Sequence, residues 1–376
     1  MLIHRRLVLA AAASMAATPA LLACTSKTGH EEAVRNLRQP VAIAPGEHAA
    51  LLRELVRLAT LAPSSHNTQC WKFVIKDSSV TIAPDFARRT PAVDPDDHHL
   101  FVSLGCATEN LAQAALAHGL QANAAYDAGA DAIAVSLDAT KAQASPLAQA
   151  IPLRQCSRGD YDGTALTPEE LRLLVLAGSG QGVRMLLLTQ RPAIEQVLEF
   201  VVAANSAQMN DPAFVEELKS WIRFSHDEAL QTGDGLFSGA TGNPALPRWL
   251  GLKAMGMFYT AKSENERYAK QIRSSAGIAV FVADKADKAH WIEAGRCYER
   301  FALQATLLGI RNAFLNQPVE VSAMRPQFAT ALGLGASRPD LVVRFGRGPT
   351  MPWSMRRPVQ AVLSAVTAVP ILTTAT

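Results

Sequence analysis

The sequence has few of the features that mark metal proteins or nucleic-acid-binding proteins. Its five cysteines are widely separated along 376 residues, with no CxxC pair and no histidine–cysteine cluster at ligand spacing, so we predict no metal site. The net charge is only +3, and the 36 Lys and Arg residues form no dense basic block. This charge pattern argues against nucleic acid as a partner. We therefore expect small-molecule partners.

The N-terminus carries an apolar, alanine-rich stretch that predicts export. Residues 7–23 follow Arg5 and Arg6, and the stretch is too short and too close to the start for a membrane span. The arginine pair and the apolar residues after it resemble a twin-arginine signal. A general secretion signal is the alternative. In both cases residues 1–24 are an export signal, and the protein is periplasmic or tethered to the cell envelope.

Cysteine chemistry leaves two questions open. Residues 21–24 (LLAC) resemble a lipoprotein cleavage site, which would make Cys24 a lipid anchor; a simple signal-peptidase cut nearby is the alternative. We expect the remaining cysteines to be buried free thiols, and a disulfide formed in an oxidising compartment is the alternative. These cysteines are Cys70, Cys106, Cys156 and Cys297.

Apolar periodicity predicts helices interleaved with short strands, which is an α+β pattern. A polar linker is expected over residues 25–45. Thr167, Pro168 and Glu170 predict a helix start with a capping box. The predicted helices cover residues 48–61, 100–120, 192–231 and 291–310. The predicted strands cover residues 71–75, 132–137, 185–189, 278–282 and 341–345.

Two stretches of the chain look like copies of each other. When residues 105–120 are aligned with residues 295–310 without gaps, five of sixteen positions are identical, including Gly105 with Gly295. Chance is the alternative, because helices often end in glycine. The order of predicted elements around both stretches also agrees. We therefore expect two tandem halves: a first half over residues 46–145 and a second half over residues 146–362, followed by a tail over 363–376.

Residues 62–73 (APSSHNTQCWKF) carry the most specific motif. The segment resembles the signature loop of the FMN-dependent nitroreductase family, with Cys70 where that family usually has proline. The resemblance implies that this loop lies against the flavin, where short hydroxyl and amide side chains hydrogen-bond to its polar edge. A plain turn between a helix and a strand is the alternative. The residues implied in cofactor binding are Pro63, Ser64, Ser65, Asn67 and Gln69.

Two arginine-containing segments extend the same resemblance. Residues 154–161 resemble the family's opening motif, in which Arg154 and Arg158 would hold the FMN phosphate through bidentate bonds. Cys156 stands where the family usually has a hydroxyl side chain. Near the C-terminus, one or both of Arg356 and Arg357 would complete the phosphate pocket. The alternatives are a solvated arginine pair before a helix and an ordinary basic tail.

The motifs are divided between the two predicted halves. The loop motif is intact only in the first half, since the second half reads GSGQGV at residues 178–183. The arginine motif is intact only in the second half, since residues 35–38 keep a degraded version. Ordinary nitroreductases are homodimers with FMN at the interface. The resemblance, which is greatest to the Acg-like branch, therefore implies a nitroreductase fold in which the halves form a pseudo-dimer, with one FMN in a monomeric chain.

Three functions are compatible with this sequence. In the first, the flavin passes electrons from a small-molecule donor to a nitro compound or quinone, with His66 as a possible proton donor or merely a structural residue. In the second, the protein stores FMN beneath a lid formed by residues 227–260, which is otherwise a surface loop. In the third, it is a degenerate scaffold without flavin. Residues 316–320 either line the outer edge of the flavin or form an ordinary turn.

Overall fold

The computed structural model describes residues 26–364. The predicted export signal, Cys24 and the residues after 364 lie outside the described part of the chain. Within that part, no helix is both long and apolar enough to cross a membrane.

The fold is α+β, as the sequence predicts, and is built on two four-stranded antiparallel sheets. One sheet contains β1, β2, β4 and β3 in that spatial order, and the other contains β5, β8, β10 and β9. Strands β6 and β7 form a small parallel pair. The strands are β1 (Trp71–Lys76), β2 (Ser79–Pro84), β3 (Leu120–Asp127), β4 (Ala132–Ala139), β5 (Val183–Leu188), β6 (Ile222–Arg223), β7 (Leu236–Phe237), β8 (Gly277–Ala283), β9 (Arg311–Phe314) and β10 (Pro339–Gly346).

Helices cover the sheets and connect the strands. We number them from the first helix of the first half. They are α1 (His48–Ala59), α2 (His98–Ala117), α3 (Pro146–Ala150), α4 (Pro168–Gly178), α5 (Arg191–Met209), α6 (Pro212–Trp221), α7 (His226–Thr232), α8 (Arg248–Phe258), α9 (Ala261–Arg273), α10 (Lys288–Leu307), α11 (Gln317–Glu320), α12 (Arg325–Ala331) and α13 (Val359–Val362).

The two large sheets share one topology. In each sheet the spatial order is first, second, fourth and third strand. Each half places a helix before its first strand, α1 or α4, and a helix of 20 residues between its second and third strands, α2 or α10. The Thr167 capping box begins α4 as predicted. The order of elements is therefore the same in both halves, apart from an insertion between β5 and β8 and the helices α11 and α12 between β9 and β10.

Helices α2 and α10 pack against each other at the centre of the molecule through two glycines. A Cβ atom on Gly105 would lie 2.0 Å from the carbonyl oxygen of Ile292. A Cβ atom on Gly295 would lie 2.0 Å from the carbonyl oxygen of Val102. The two contacts are reciprocal, because Gly105 and Gly295, like Val102 and Ile292, are 190 positions apart, which is the offset that aligns the two sequence copies. Only glycine permits this close backbone approach.

The insertion covers residues 189–276 and is folded. The sequence predicts one helix over 192–231, and this prediction is wrong in detail because the region forms α5, α6 and α7. Asp211 caps α6 with Pro212 in its first turn, and Ser225 caps α7. A side-chain cap followed by proline starts a new helix, so these residues interrupt the helical run.

Two terminal segments tie the halves together. The prediction of a linker over residues 25–45 is wrong in part, because residues 26–36 are helical and Val34 is buried with Phe237 and Met355. The apolar spacing of this segment lets one of its faces pack on the insertion. At the other end, Leu363 pairs with Phe73 of β1. The C-terminal segment of the second half thus returns to the sheet of the first half.

Candidate functional site

A cavity of about 580 Å³ lies where the first half, the second half and the insertion meet. This volume falls within the range usual for small-molecule sites. The first half contributes the start of the loop motif and one face of α2. The second half contributes Arg158 and the segment that follows β9. The lining residues from the two halves are Pro63, Ser64, Ser65, His66, Val93, His99, Val102, Ser103, Cys106, Arg158, Phe314, Asn316, Gln317, Glu320 and Leu341.

The loop motif has a strained backbone. His66, Asn67 and Gln69 have φ values of 48°, 53° and 54°, a left-handed region that residues other than glycine seldom adopt. Such strain persists only where surrounding contacts impose it, and it is common at functional sites. The Gln69 backbone N–H donates to Ser64 Oγ at 2.9 Å, which closes the turn. The loop therefore presents Pro63, Ser64, Ser65 and His66 to the cavity.

The side chains of Asn67 and Gln69 hold this loop to other parts of the chain and do not line the cavity. Asn67 Nδ2 donates to the carbonyl oxygens of Gly235 at 3.0 Å and Met355 at 3.3 Å. Gln69 Nε2 donates to the Gly233 carbonyl at 2.8 Å, and its Oε1 accepts the Arg357 backbone N–H at 2.8 Å. These bonds join the loop to the insertion and to the C-terminal segment, so both side chains position the loop.

Arg158 is the one predicted arginine that lines the cavity. Its guanidinium has no hydrogen-bond or carboxylate partner within residues 26–364, and a free guanidinium suits an anionic ligand. Arg344 holds the backbone on either side of Arg158 in place by donating to the carbonyls of Ser157 at 3.3 Å and Gly159 at 2.8 Å. The Arg344 guanidinium also stacks 4.2 Å above the Tyr161 ring. Arg344 is a positioning residue that the motif comparison did not single out.

The side chains of Arg154 and Arg356 are buried behind the loop motif, and both have hydrogen-bond partners in the chain. Arg154 Nε is 3.1 Å from Glu299 Oε1, and its Nη2 donates to the Leu61 carbonyl at 3.1 Å. Burial raises the pKa of Glu299 to about 7, against the opposing effect of Arg154. Arg356 donates to the carbonyls of Thr60 at 2.8 Å and Leu61 at 3.1 Å. These carbonyls follow Ala59, the last residue of α1, so Arg356 holds the segment between α1 and the loop motif in place.

Cys156 and Arg357 also lie outside the cavity lining. The Cys156 thiol is 3.6 Å from Arg154 Nη1 and 3.8 Å from the Tyr298 hydroxyl. The Arg357 guanidinium donates to the Ala361 carbonyl at 2.6 Å. The structure therefore brings five of the predicted residues together at the cavity, counting His66. The others support the loop or the C-terminal segment from behind.

Three buried polar atoms of the cavity-lining residues have no hydrogen-bond partner in the described chain: His66 Nδ1, Gln317 Oε1 and, from the insertion, Arg267 Nε. A buried polar atom without a partner costs about 1–3 kcal/mol, so these atoms invite a polar ligand. Burial, with a smaller contribution from Arg158, lowers the pKa of His66 to about 4. The His66 imidazole is therefore neutral at pH 7.

The insertion forms one wall of the cavity. The predicted lid over residues 227–260 contributes Leu236, Met255 and Tyr259 among others. The lining continues beyond both ends of that range, from Asn205 on α5 to Tyr268 on α9. Much of this wall is apolar or aromatic.

The four cysteines in the described part of the chain are free thiols. Burial raises the pKa of Cys70 to about 12 and raises that of Cys106 further above its ordinary value. Both are therefore protonated at neutral pH. No group of three or more His, Cys, Asp or Glu side chains in residues 26–364 is arranged to hold a metal ion.

Relatives of this chain are found by sequence, although no protein-family model matches it. It is 23% identical over 314 residues to "Putative NAD(P)H nitroreductase Rv3131" of Mycobacterium tuberculosis strain H37Rv, covering 80% of this chain and 86% of the relative. It is 23% identical over 329 residues to "Putative NAD(P)H nitroreductase acg" of the same strain, covering 83% and 95%. These similarities support the nitroreductase family, and the second supports the resemblance to the Acg-like branch.

Solved structures give weaker overlaps. A nitroreductase with bound FMN from Desulfitobacterium hafniense is 15% identical, with a TM-score of 0.37, covering 60% of this chain and all of the other. The FMN-dependent nitroreductase NfnB of Mycobacterium smegmatis, in complex with NADPH, is 13% identical, with a TM-score of 0.36, covering 54% and 87%. Overlaps this low carry no argument about this chain.

Proposed function

We propose that the cavity binds one FMN and that the protein is a flavin-dependent oxidoreductase of the nitroreductase type. The observation that carries this proposal is the meeting of the strained Ser64–Ser65–His66 loop and the free Arg158 guanidinium in one cavity. The two motifs lie in different halves of the chain, and each was associated with FMN by family resemblance alone. The sequence relatives named as nitroreductases support the same assignment.

The residues present fit the chemical parts of FMN. The Arg158 guanidinium offers a cation for the phosphate. The hydroxyls of Ser64 and Ser65 offer short hydrogen-bonding groups for the polyol and the ring edge. His66 Nδ1 and Gln317 Oε1 are buried atoms that lack partners and would gain them. Arg154 and Arg356 would act indirectly, by fixing the end of α1 from which the loop starts.

FMN would supply the transfer of hydride or electrons, and the protein would hold and shield it. The apolar wall from the insertion, with residues such as Phe224 and Met255, lines one side of the site. An electron donor of the NAD(P)H type and a nitro or quinone acceptor are the partners we propose. Both would have to reach the cavity past the insertion.

We further propose that the two halves are a fused pseudo-dimer with a single site per chain. The matching sheet topology and the reciprocal contacts of Gly105 and Gly295 support this. In the second half, the counterpart of the loop motif surrounds Gly180. A Cβ atom there would lie 2.5 Å from Glu293 and 2.9 Å from Arg300, so ion-paired side chains fill that place. Side chains therefore occupy the space beside the counterpart loop.

FMN storage is the second candidate function, and the contribution of the insertion to the cavity wall favours it. The insertion supplies residues on both sides of the predicted lid, so the lid is part of a larger folded wall. A wall of this kind suits retention of a cofactor, and slow opening would limit turnover. The storage function and the reductase share the same site and differ in how fast a donor reaches it.

Reduction kinetics distinguish the two functions. The protein is reconstituted with FMN, and its absorbance spectrum is followed after anaerobic addition of NADPH and then dithionite. Fast bleaching by NADPH supports the reductase, whereas bleaching by dithionite alone supports the storage function. The absence of flavin bands at any FMN concentration would overturn both. Arg158→Ala is expected to weaken FMN binding at least tenfold, and Arg53→Ala, which removes an exposed arginine of α1, serves as the matched control.

Export of the protein is also a proposal. Residues 1–24 precede the described chain, and their sequence is the only basis for it. Mass spectrometry of the mature N-terminus in the native host would test it. A lipid-modified Cys24 would indicate a membrane-tethered protein, an unmodified cut site near residue 24 would indicate a released one, and an intact Met1 would contradict export.

A further inference from the structure

Four ionisable side chains form a continuous chain from the cavity into the core. His99 and Glu320 line the cavity, and His99 Nε2 is 3.6 Å from Glu320 Oε1. His99 Nδ1 is 3.2 Å from His98 Nδ1. His98 Nε2 is 2.9 Å from Asp340 Oδ1. The motif comparison assigned no role to His98, His99 or Asp340.

Each carboxyl group at the ends of this chain has one oxygen already occupied by a donor. Asp340 Oδ2 accepts the backbone N–H of Ala283 at 2.7 Å. Glu320 Oε2 accepts a hydrogen bond from Gln208 Nε2 at 2.7 Å. The remaining oxygen of each carboxyl group therefore faces a histidine. His98 and Asp340 are fully buried, so no solvent competes for these contacts.

Hydrogen-bonding rules fix the proton count along the chain. A neutral imidazole has one donor nitrogen and one acceptor nitrogen, and the two facing Nδ1 atoms share one proton. If Asp340 is ionised, His98 donates from Nε2 and accepts at Nδ1, so His99 carries its proton on Nδ1. His99 Nε2 is then an acceptor and requires a protonated Glu320. If Glu320 is ionised instead, every hydrogen bond along the four residues runs in the opposite direction and Asp340 carries the proton.

We propose that Glu320 donates and accepts a proton at the cavity, and that it shares this one proton with Asp340 through His99 and His98. This inference rests on the proposed function, because the reduction of a nitro compound or quinone consumes protons as well as electrons. The 3.6 Å separation between His99 Nε2 and Glu320 Oε1 exceeds hydrogen-bond length, so the transfer requires a movement of the Glu320 carboxyl at the cavity.

The proposed transfer is balanced. In the starting state Asp340 holds the shared proton and Glu320 is a carboxylate. Asp340 gives its proton to His98 Nε2, His98 gives its Nδ1 proton to His99 Nδ1, and His99 gives its Nε2 proton to Glu320. These three protons each move one step, no electrons move, and both imidazoles end neutral in the opposite tautomer. Glu320 then gives its proton to an acceptor in the cavity, and uptake of one proton from solvent restores the count.

The electrostatic surroundings support carboxyl groups as the proton carriers. Burial raises the pKa of Asp340 and of Glu320 to about 7, and it lowers the pKa of His99 to about 3. The charged or titratable groups that act on the four residues from neighbouring elements are Asp94, Asp96, Glu217, His290, Arg325 and Arg338. Asp96 is 2.6 Å from Arg338 and 3.7 Å from Arg325, which offsets much of their charge.

Two substitutions are expected to fix the four-residue network in opposite tautomeric states. In Glu320→Gln, with the Gln208 amide in its present orientation, the amide oxygen accepts from Gln208 Nε2, so its NH₂ faces His99 Nε2 and the His98 proton stays on Nε2. In Asp340→Asn, the amide oxygen must accept from Ala283, so its NH₂ faces His98 Nε2 and the His98 proton stays on Nδ1. Imidazole ¹⁵N chemical shifts, measured on the full chain at pH 6, report the tautomer of each ring.

The expected result is opposite His98 tautomers in the two variants, with Glu199→Gln, an exposed glutamate on α5, behaving as wild type. Identical His98 tautomers in both variants would overturn the proposal. Should either variant fail to fold, the wild type alone is decisive: His98 and His99 are expected to be neutral and of opposite tautomer, and a charged ring or matching tautomers would contradict it. These spectra need no flavin, so a failure of FMN binding is recognised separately by titration.

Discussion

The crossing of α2 and α10 makes a sharp test of the central packing. In Gly105→Ala, the new methyl carbon would lie 2.0 Å from the Ile292 carbonyl oxygen, whereas ordinary contacts begin near 3.4 Å. The obstructing atom belongs to a helix backbone and has no rotamer to change. The helices must therefore separate by more than about 1 Å, which loosens the buried contacts on both sides of the crossing.

The size of the effect follows from two opposing contributions. Forcing an extra methyl group into a packed core costs about 1–3 kcal/mol, and the rigid backbone contact places this site at the upper end. Replacing glycine by alanine inside a helix returns about 1 kcal/mol. We expect a net loss of about 2 kcal/mol in the free energy of unfolding. Gly295→Ala should lose a similar amount, because its contact with Val102 is the reciprocal one.

Urea unfolding followed by circular dichroism measures these changes. Gly256→Ala is the matched control: Gly256 lies within α8, and a Cβ atom there would have no neighbour within 4 Å. The control should be unchanged or gain up to about 1 kcal/mol. The double variant should lose less than the sum of the two single losses, because one separation relieves both clashes. If Gly105→Ala were as stable as Gly256→Ala, the close crossing of the helices would be refuted.

Three further predictions concern the site and its supports. Arg344→Met should leave the Gly159 carbonyl without a donor, while the Ser157 carbonyl keeps only the Tyr161 hydroxyl, costing about 2 kcal/mol of stability and weakening FMN binding in a titration; unchanged binding would deny Arg344 a positioning role. His66 has a folded-state pKa of about 4, below its ordinary value of 6.5. Between pH 6.5 and pH 4 the unfolded chain therefore binds more protons than the folded chain, so the free energy of unfolding decreases as the pH falls through this window. His66→Asn, which tolerates the left-handed backbone, should flatten this slope in urea titrations across pH, and an unaltered slope would show that His66 is not its source. Thr167→Ala should lower the free energy of unfolding by about 1 kcal/mol through loss of the capping box, and no loss would contradict the hydrogen bonds that form it.

The sequence predicts the elements whose side chains are strongly patterned. The fully buried strands β8 and β10 read as apolar runs, and both long central helices are recognised within a few residues. Strands β2, β3 and β9 were not predicted. Strand β3 alternates between half-buried and exposed positions, and its alanines have little preference for strands. Strand β9 has four residues, too few to show a period.

The roles of individual site residues depend on contacts that are distant in sequence. The arginine motif did not reveal that Arg154 is paired with Glu299, 145 positions away, while Arg158 faces the cavity unpaired. The loop motif did not reveal that Asn67 points away from its own cavity. That orientation follows from the left-handed backbone and from the carbonyl of Gly235 in the insertion. Residue type alone does not encode either choice.

The relay residues are the least visible in the sequence. His98 and His99 are adjacent at the start of a predicted helix, and nothing there indicates a partner. Asp340 lies in a buried strand 242 positions from His98. Glu320 falls within the segment expected to line the flavin or form a turn, and the structure places it at the cavity. Only the fold brings the four residues together.

The central claim is that the two halves of the chain build one FMN site at this cavity. The most direct measurement is a titration of the cofactor-free protein with FMN, followed by flavin fluorescence, with wild type, Arg158→Ala and Arg53→Ala compared. We predict saturation at one FMN per chain, at least tenfold weaker binding in Arg158→Ala and unchanged binding in Arg53→Ala. No binding by the wild type, two FMN per chain, or equal binding by all three proteins would contradict the account.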